Sequence, residues 1–237
     1  MTQRNSTSSA TSVPTLRWRV AQLARREVLL PLFDRIHQDE ARLSRAAERS
    51  YAHQNGFAKI VLATGNGFKL RLHVWSPDGS GVSSAPAQEN IHDHRWNFAS
   101  AGLCGAIRND FFAFTAEDAH AGDVHSEEVE RVHAHRYLRV DASTDYQLAY
   151  VGTRAVRRTH SLRVRAGESY GMGFTGLHRI VHDTGSLAAT LVITAPPVSH
   201  ECHLLSRSPM PLGETSGGRQ LTPEEIVQMF QLVGGAL

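Results

Sequence analysis

Cysteine is scarce in this 237-residue chain, which contains only Cys104 and Cys202. Two cysteines exclude a disulfide framework and are typical of a protein in a reducing cytoplasm. No apolar run is long enough to span a bilayer, and the N-terminus lacks the apolar core of a signal peptide. We therefore expect a cytoplasmic protein without a membrane partner.

An excess of charge of one sign is also missing. The formal net charge is +2, and the arginines are scattered rather than grouped, so the charge pattern does not indicate a nucleic-acid partner. Histidine, in contrast, is abundant, with 14 residues, and this abundance favours a metal site. The expected partner is a small-molecule substrate. Whether the chain forms a homodimer stays open.

The sequence divides into four segments. Residues 1–14 are rich in Ser and Thr and are predicted to be a disordered tail. Residues 15–54 carry apolar residues at helical spacing, and Pro31 is predicted to divide them into two helices that pack on a barrel. Residues 55–205 form the predicted barrel, and residues 206–237 a loop followed by a C-terminal helix.

From Phe57 onward the apolar pattern changes to the period of β-strands. The predicted strands are 57–63, 68–75, 91–107, 109–115, 129–140, 146–151, 155–165, 168–174, 177–183 and 187–195. A helix over 223–233 is predicted from a capping box that begins at Thr222. Many short strands after N-terminal helices predict an all-β fold, an antiparallel barrel or jelly roll with helices at both ends.

Three histidines are the strongest candidates for a metal site. His92 and His94 are two residues apart, which on a strand places both imidazoles on the same face. His178 follows 84 positions after His94, and from another strand it could complete a set of three nitrogen ligands for a divalent first-row metal. The alternative is that these histidines are ordinary surface or core residues.

The spacing around these histidines resembles the two motifs of the cupin superfamily. His92-x-His94 with Gly105 downstream is similar to the first motif, and Gly167-x5-Gly173-x4-His178 is similar to the second. This resemblance implies a cupin barrel with His92, His94 and His178 as metal ligands. It covers roughly residues 55–197.

Within the cupins, the chain resembles cysteine dioxygenases and related thiol dioxygenases in three stretches. These are Gly65-Asn66-Gly67 with the strand ending in Trp75, Ile91-His92-Asp93-His94, and Gly176-Leu177-His178-Arg179 with Pro196-Pro197 further on.

The chain also departs from that family. Phe98 and Ala99 stand where many cupins have a glutamate ligand, and Ala99 excludes the cysteine crosslink of some relatives. Val192 and Thr194 fall where the family has its catalytic histidine and tyrosine. Lys59 falls where the family has a carboxylate-binding arginine, and lysine keeps the charge but loses the bidentate fork. The departures argue against cysteine as the substrate.

The resemblance also indicates which strands line the pocket. The candidate catalytic residues are His73 and Tyr170, and the candidate substrate-binding residues are Phe57, Lys59, Arg71 and Trp75. His73 could instead be a structural histidine, Tyr170 a packing residue, and Arg71 a partner of a carboxylate in the barrel. Whether His73 or His182 is a further metal ligand stays open. Arg95, next to His94, is predicted by strand alternation to point away from the metal.

These observations lead to three hypotheses for function. The first is an Fe(II)-dependent oxygenase that acts on a small carboxylated or amino-acid-like molecule. The second is a non-redox Zn(II) cupin that rearranges an activated amino-acid derivative, as in N–N bond-forming biosynthesis. The third is a cupin that binds a small ligand without turnover. Imidazole ligands suit iron and zinc alike, so the sequence does not decide between the metals.

Overall fold

The computed structural model describes residues 11–53, 55–77, 89–115, 129–139, 146–210, 213–215 and 218–237. The predicted tail lies largely outside these ranges. Four helices are found in the described chain, and they are α1 (Val13–Leu23), α2 (Arg26–His37), α3 (Glu40–Ala47) and α4 (Pro223–Ala236). None of them is both long and apolar enough to cross a bilayer.

Fourteen strands are present in the same ranges. They are β1 (Tyr51–Ala52), β2 (Ala58–Gly65), β3 (Phe68–Trp75), β4 (Ile91–His92), β5 (Phe98–Cys104), β6 (Ala106–Phe114), β7 (Val129–Arg139), β8 (Tyr146–Arg165), β9 (Ser169–Met172), β10 (Leu177–Val181), β11 (Ala188–Thr194), β12 (Glu201–Ser206), β13 (Gly213–Thr215) and β14 (Arg219–Gln220).

The strands form two antiparallel sheets. The first has the order β14-β1-β2-β3-β11-β5-β9, and the second has the order β13-β8-β6-β10-β4-β12-β7. The second sheet closes on itself, because the first half of β8 pairs with β7 while its second half pairs with β6. This arrangement confirms the predicted fold class, an all-β jelly-roll barrel with helices at both ends of the chain.

The N-terminal helices break at different places from the predicted one. Pro31 lies inside α2, so the prediction that it separates two helices is wrong. A proline inside a helix costs about 3 kcal/mol. Leu29, Phe33 and Ile36 on the same helix are buried, and each buried side chain of this size contributes roughly 1.5–3 kcal/mol. The burial therefore outweighs the lost hydrogen bond.

Side chains alternate between the two faces of β2 and β3, and each face contributes to a different hydrophobic cluster. The even-numbered Ile60, Leu72 and Val74 face the helices and join the large cluster that α1 to α4 cover. The odd-numbered Phe57 and Trp75 face the barrel interior, in a second cluster with residues of β5, β9 and β11. The first sheet therefore has helices on one face and the interior on the other.

Three predicted strands differ from the observed ones. The predicted strand 91–107 is two strands, β4 in the second sheet and β5 in the first, because the chain crosses between the sheets after His92. The predicted strands 146–151 and 155–165 are one strand, β8.

The capping box of α4 is confirmed, since the Glu225 backbone N–H donates to Thr222 Oγ1 at 3.2 Å and the Thr222 N–H donates to Glu225 Oε2 at 2.9 Å.

Candidate metal centre

His92, His94 and His178 come together on the inner face of the second sheet. β4 pairs antiparallel with β10, and His92 stands directly opposite His178. His94 follows the end of β4, where its backbone N–H donates to the Phe174 carbonyl at 3.0 Å. One potential ligand atom from each of the three side chains lies within 4.8 Å of the others. In the part of the chain described, neither His73 nor His182 belongs to this group.

In His92 and His178, a hydrogen bond at Nδ1 determines which ring nitrogen carries the proton. His178 Nδ1 donates to Asn109 Oδ1 at 2.8 Å, and His92 Nδ1 donates to the Asn90 carbonyl at 2.9 Å. Because carbonyl oxygens only accept, Nδ1 carries the proton in both rings, and each Nε2 keeps a free lone pair. This is the tautomer that a metal-ligating histidine needs.

Burial keeps these rings neutral. It lowers the pKa of His92, and it holds the pKa values of His94 and His178 well below the usual value, with further lowering from neighbouring histidines. The Nε2 atoms of His94 and His178 lie 2.9 Å apart. Two ligands bound at right angles with metal–nitrogen bonds of about 2.1 Å would be separated by about 3.0 Å. The three histidines therefore fit a divalent metal ion.

Asp93, which lies between the two histidines His92 and His94, is hydrogen-bonded to His203 on β12. Its Oδ1 accepts from the His203 backbone N–H at 2.5 Å, and its Oδ2 accepts from His203 Nδ1 at 2.7 Å. The hydrogen bond to Asp93 raises the pKa of His203. Because β4 has only two residues, this attachment to β12 adds to the strand pairing that positions His92 and His94.

The predicted pocket residues lie on the first sheet, facing the same interior. The Phe57 ring centre lies 4.5 Å from that of His73 and 5.1 Å from that of Trp75. Tyr170 belongs to the same interior cluster. Phe98 connects this wall to the histidines, with its ring centre 4.7 Å from His94 and 5.9 Å from Tyr170. The metal group and the pocket wall thus share one interior.

The protonation of the wall residues follows from burial. Desolvation lowers the pKa of His73 well below its usual value, and the nearby charges of Lys59 and Arg71 lower it further. His73 is therefore neutral at neutral pH, and its buried Nε2 has no hydrogen-bond partner within the described ranges. Burial raises the pKa of Tyr170, so its hydroxyl remains a donor.

Two predicted anion anchors, Lys59 and Arg71, lie in this interior. Lys59 Nζ donates to the Tyr51 hydroxyl at 2.7 Å. Burial lowers the pKa of Lys59 well below its usual value, and Arg71 adds to the effect. Burial also lowers the pKa of Arg71 to about 10. Both groups would be stabilised by an anion that enters the pocket.

Several residues of the interior were not identified from the sequence. Glu89 is buried, with 6% of its surface exposed, and desolvation raises its pKa to about 8. Asn109 is fully buried behind His178. No local pattern marks either residue, because each is brought to the site by strand pairing.

Arg95 differs from the prediction. Its guanidinium carbon lies 5.1 Å from the Trp96 ring centre, and Arg71 lies 5.0 Å from the same ring. The prediction that Arg95 points away from the site is wrong, because β4 ends at His92 and strand alternation does not continue to residue 95.

Comparisons with known proteins give distant structural matches. No protein-family model and no curated protein matches the chain. Hydroquinone 1,2-dioxygenase from Sphingomonas sp. TTNP3 with bound 4-hydroxybenzoate matches at 9% identity and a TM-score of 0.35, over 59% of this chain and 66% of that chain. A cupin-2 domain containing protein from Shewanella frigidimarina matches at 12% identity and a TM-score of 0.29, over 57% and 76%.

Bacillus subtilis oxalate decarboxylase matches at 13% identity and a TM-score of 0.35, over 66% of this chain and 30% of that chain. The chain thus spans less than a third of that protein and about two thirds of the hydroquinone dioxygenase. At these scores the matches assign neither a family nor a reaction. The narrower resemblance to cysteine dioxygenases stays a prediction.

Proposed function

We propose that this protein is a metal-dependent enzyme, an Fe(II) oxygenase acting on a small carboxylated or amino-acid-like substrate. The observation that carries the proposal is the shared interior, in which three neutral histidine nitrogens converge beside buried cationic side chains. Three imidazoles contribute no negative charge, so a bound divalent ion keeps its full charge and attracts an anionic substrate.

The wall residues have distinct roles in this proposal. Lys59 and Arg71 bind carboxylate oxygen atoms of the substrate through charge-assisted hydrogen bonds. Phe57 and Trp75 exclude water, which strengthens those interactions. His73, neutral and with a free ring nitrogen, accepts a proton from the bound substrate.

Tyr170 remains protonated and donates a hydrogen bond to an oxygen atom of the substrate. Bound Fe(II) supplies the one-electron chemistry that reactions with dioxygen require. The chain itself therefore supplies binding, orientation and proton transfer.

The test begins with metal content. Protein purified without oxygen and reconstituted with Fe(II) should consume oxygen in the presence of some members of a panel of small carboxylates and amino acids. His178→Ala should lose both the metal and this activity. His200→Ala is the matched control, because His200 is exposed and stands apart from the three-histidine group.

The second candidate is a Zn(II) enzyme without redox chemistry. It is favoured by the donor set, because three histidines with open positions are also a known arrangement of catalytic zinc. Turnover that needs Zn(II) and consumes no oxygen would replace the first proposal by this one. Anion binding without turnover of any panel member, under either metal, would indicate a binding protein.

A further inference from the structure

We infer that the substrate is a small dicarboxylate, with a second carboxylate held between the guanidinium groups of Arg71 and Arg95. This inference rests on the proposed function, since it names the substrate class of the same site. The juxtaposition behind it is that the guanidinium groups of the buried Arg71 and the half-buried Arg95 lie against one aromatic ring, next to the metal ligands.

Neither guanidinium forms an ion pair with a carboxylate in the described part of the chain. Arg71 is 6% exposed, and the buried Nε atoms of Arg71 and Arg95 make no hydrogen bond there. Other arginines do form ion pairs with carboxylates, as Arg179 does with Glu130. A buried charge without a partner is costly, and an unpaired donor aimed at an interior is typical of a binding site.

The carboxylate available inside the protein does not neutralise them. Glu89 is buried near Lys59 and Tyr170, and desolvation favours its neutral form. Lys59 already donates to Tyr51. Arg71 and Arg95 also lower the pKa of Lys59, because like charges repel one another in this interior. An anion with more than one charge would relieve this repulsion.

Trp96 places the two guanidiniums beside the metal group. Its ring centre is 6.0 Å from that of His94, and the two guanidinium carbons lie 5.0 Å and 5.1 Å from the same ring centre. A molecule with carboxylates at both ends could thus reach the metal group and Lys59 with one end and the arginines with the other. A planar carboxylate matches the fork of a guanidinium.

The experiment compares ligands of equal length. Binding of succinate, butyrate and 3-phosphonopropionate is measured by calorimetry on the metal-loaded and on the metal-free protein. The variants are Arg95→Met, Arg71→Met and the milder Arg71→Lys, and each is first checked for an unchanged thermal transition. Arg163→Met is the matched control, because Arg163 is exposed on β8.

We expect succinate to bind at least about tenfold more tightly than butyrate. Arg95→Met should weaken succinate about 10- to 150-fold, leave butyrate nearly unchanged and retain the metal. Arg71→Met should weaken succinate by a similar factor and also retain the metal. If Arg71→Met does not fold, Arg71→Lys supplies the same comparison with a smaller loss. Arg163→Met should bind like the unaltered protein.

Three results would overturn the inference. They are equal affinity for succinate and butyrate, an unchanged succinate affinity in Arg95→Met, and tighter binding of 3-phosphonopropionate than of succinate. The metal-free protein separates this inference from the proposed function. If the protein binds no metal but still loses succinate affinity in Arg95→Met, the dicarboxylate site stands and the metal-dependent reaction fails.

Discussion

Asn109 on β6 accepts a hydrogen bond through its side-chain oxygen from Nδ1 of His178 on β10, at 2.8 Å. Asn109 touches no substrate in our proposal, and its role is to hold the His178 ring in the ligating tautomer. Loss of such an outer partner reduces metal affinity about 10- to 100-fold. We therefore expect Asn109→Ala to weaken metal binding by this factor in a competition titration with a chromogenic chelator.

The matched variant Asn109→Asp keeps an acceptor oxygen at the same position. It should bind the metal more tightly than Asn109→Ala does. Equal affinities of Asn109→Ala and the unaltered protein, with both folded, would show that this hydrogen bond does not orient the ligand.

Replacing Lys59 by methionine tests the first anion anchor. The change keeps the apolar stem and removes the charge. A charge-assisted hydrogen bond contributes about 1.5–3 kcal/mol, so kcat/KM should fall roughly 10- to 150-fold while metal content stays constant. Lys69→Met is the control on the neighbouring strand, since Lys69 is exposed. An equal loss in both variants would mean that Lys59 acts through general electrostatics rather than contact.

Free cysteine should be a poor substrate. Val192 lies in the interior cluster, and Thr194, two residues further along β11, is buried as well. The resemblance to thiol dioxygenases places their histidine and tyrosine at these positions. Neither Val192 nor Thr194 has a side chain that can gain or lose a proton near neutral pH. Oxygen-electrode measurements with cysteine should stay below roughly 1 turnover per second. Faster uptake that depends on Fe(II) would contradict this prediction.

Glu89 should make the protein less stable as the pH rises. Its pKa in the folded protein, about 8, lies above the usual glutamate pKa of 4.5, so the folded state binds the proton more tightly than the unfolded chain. The resulting stability is fully present below about pH 4.5 and is lost as the pH approaches 8. Urea titrations should show that this loss is absent in Glu89→Gln, which keeps the shape without the ionisation. A parallel pH dependence in both proteins would assign it to other groups.

The histidines could be predicted because their signal is local. His92 and His94 are two residues apart, and both join the three-histidine group although β4 ends at His92. Arg71 and Trp75 share a face of β3 by alternation. Asn109 and Glu89 could not be predicted, because their positions depend on which strands become neighbours. Arg95 was assigned to the wrong side because alternation holds only while the strand continues, and β4 stops at His92.

The helices show a related limit. Pro31 carries a strong local signal for a break, yet the helix continues through it. The deciding factor is burial of Leu29 and Phe33 against neighbouring elements, which a local pattern does not reveal. The capping box at Thr222 was predicted correctly because it involves four consecutive residues and no tertiary contact.

The short ligand strand β4 has partners on both sides, β10 and β12, within a sheet that closes through β7 and β8. Its backbone pairing therefore does not depend on an ion between the imidazoles. In many small zinc proteins, by contrast, the ion is required for folding. The scaffold here is preorganised: an ion could leave and return, or be exchanged for another, while the barrel around it stays folded.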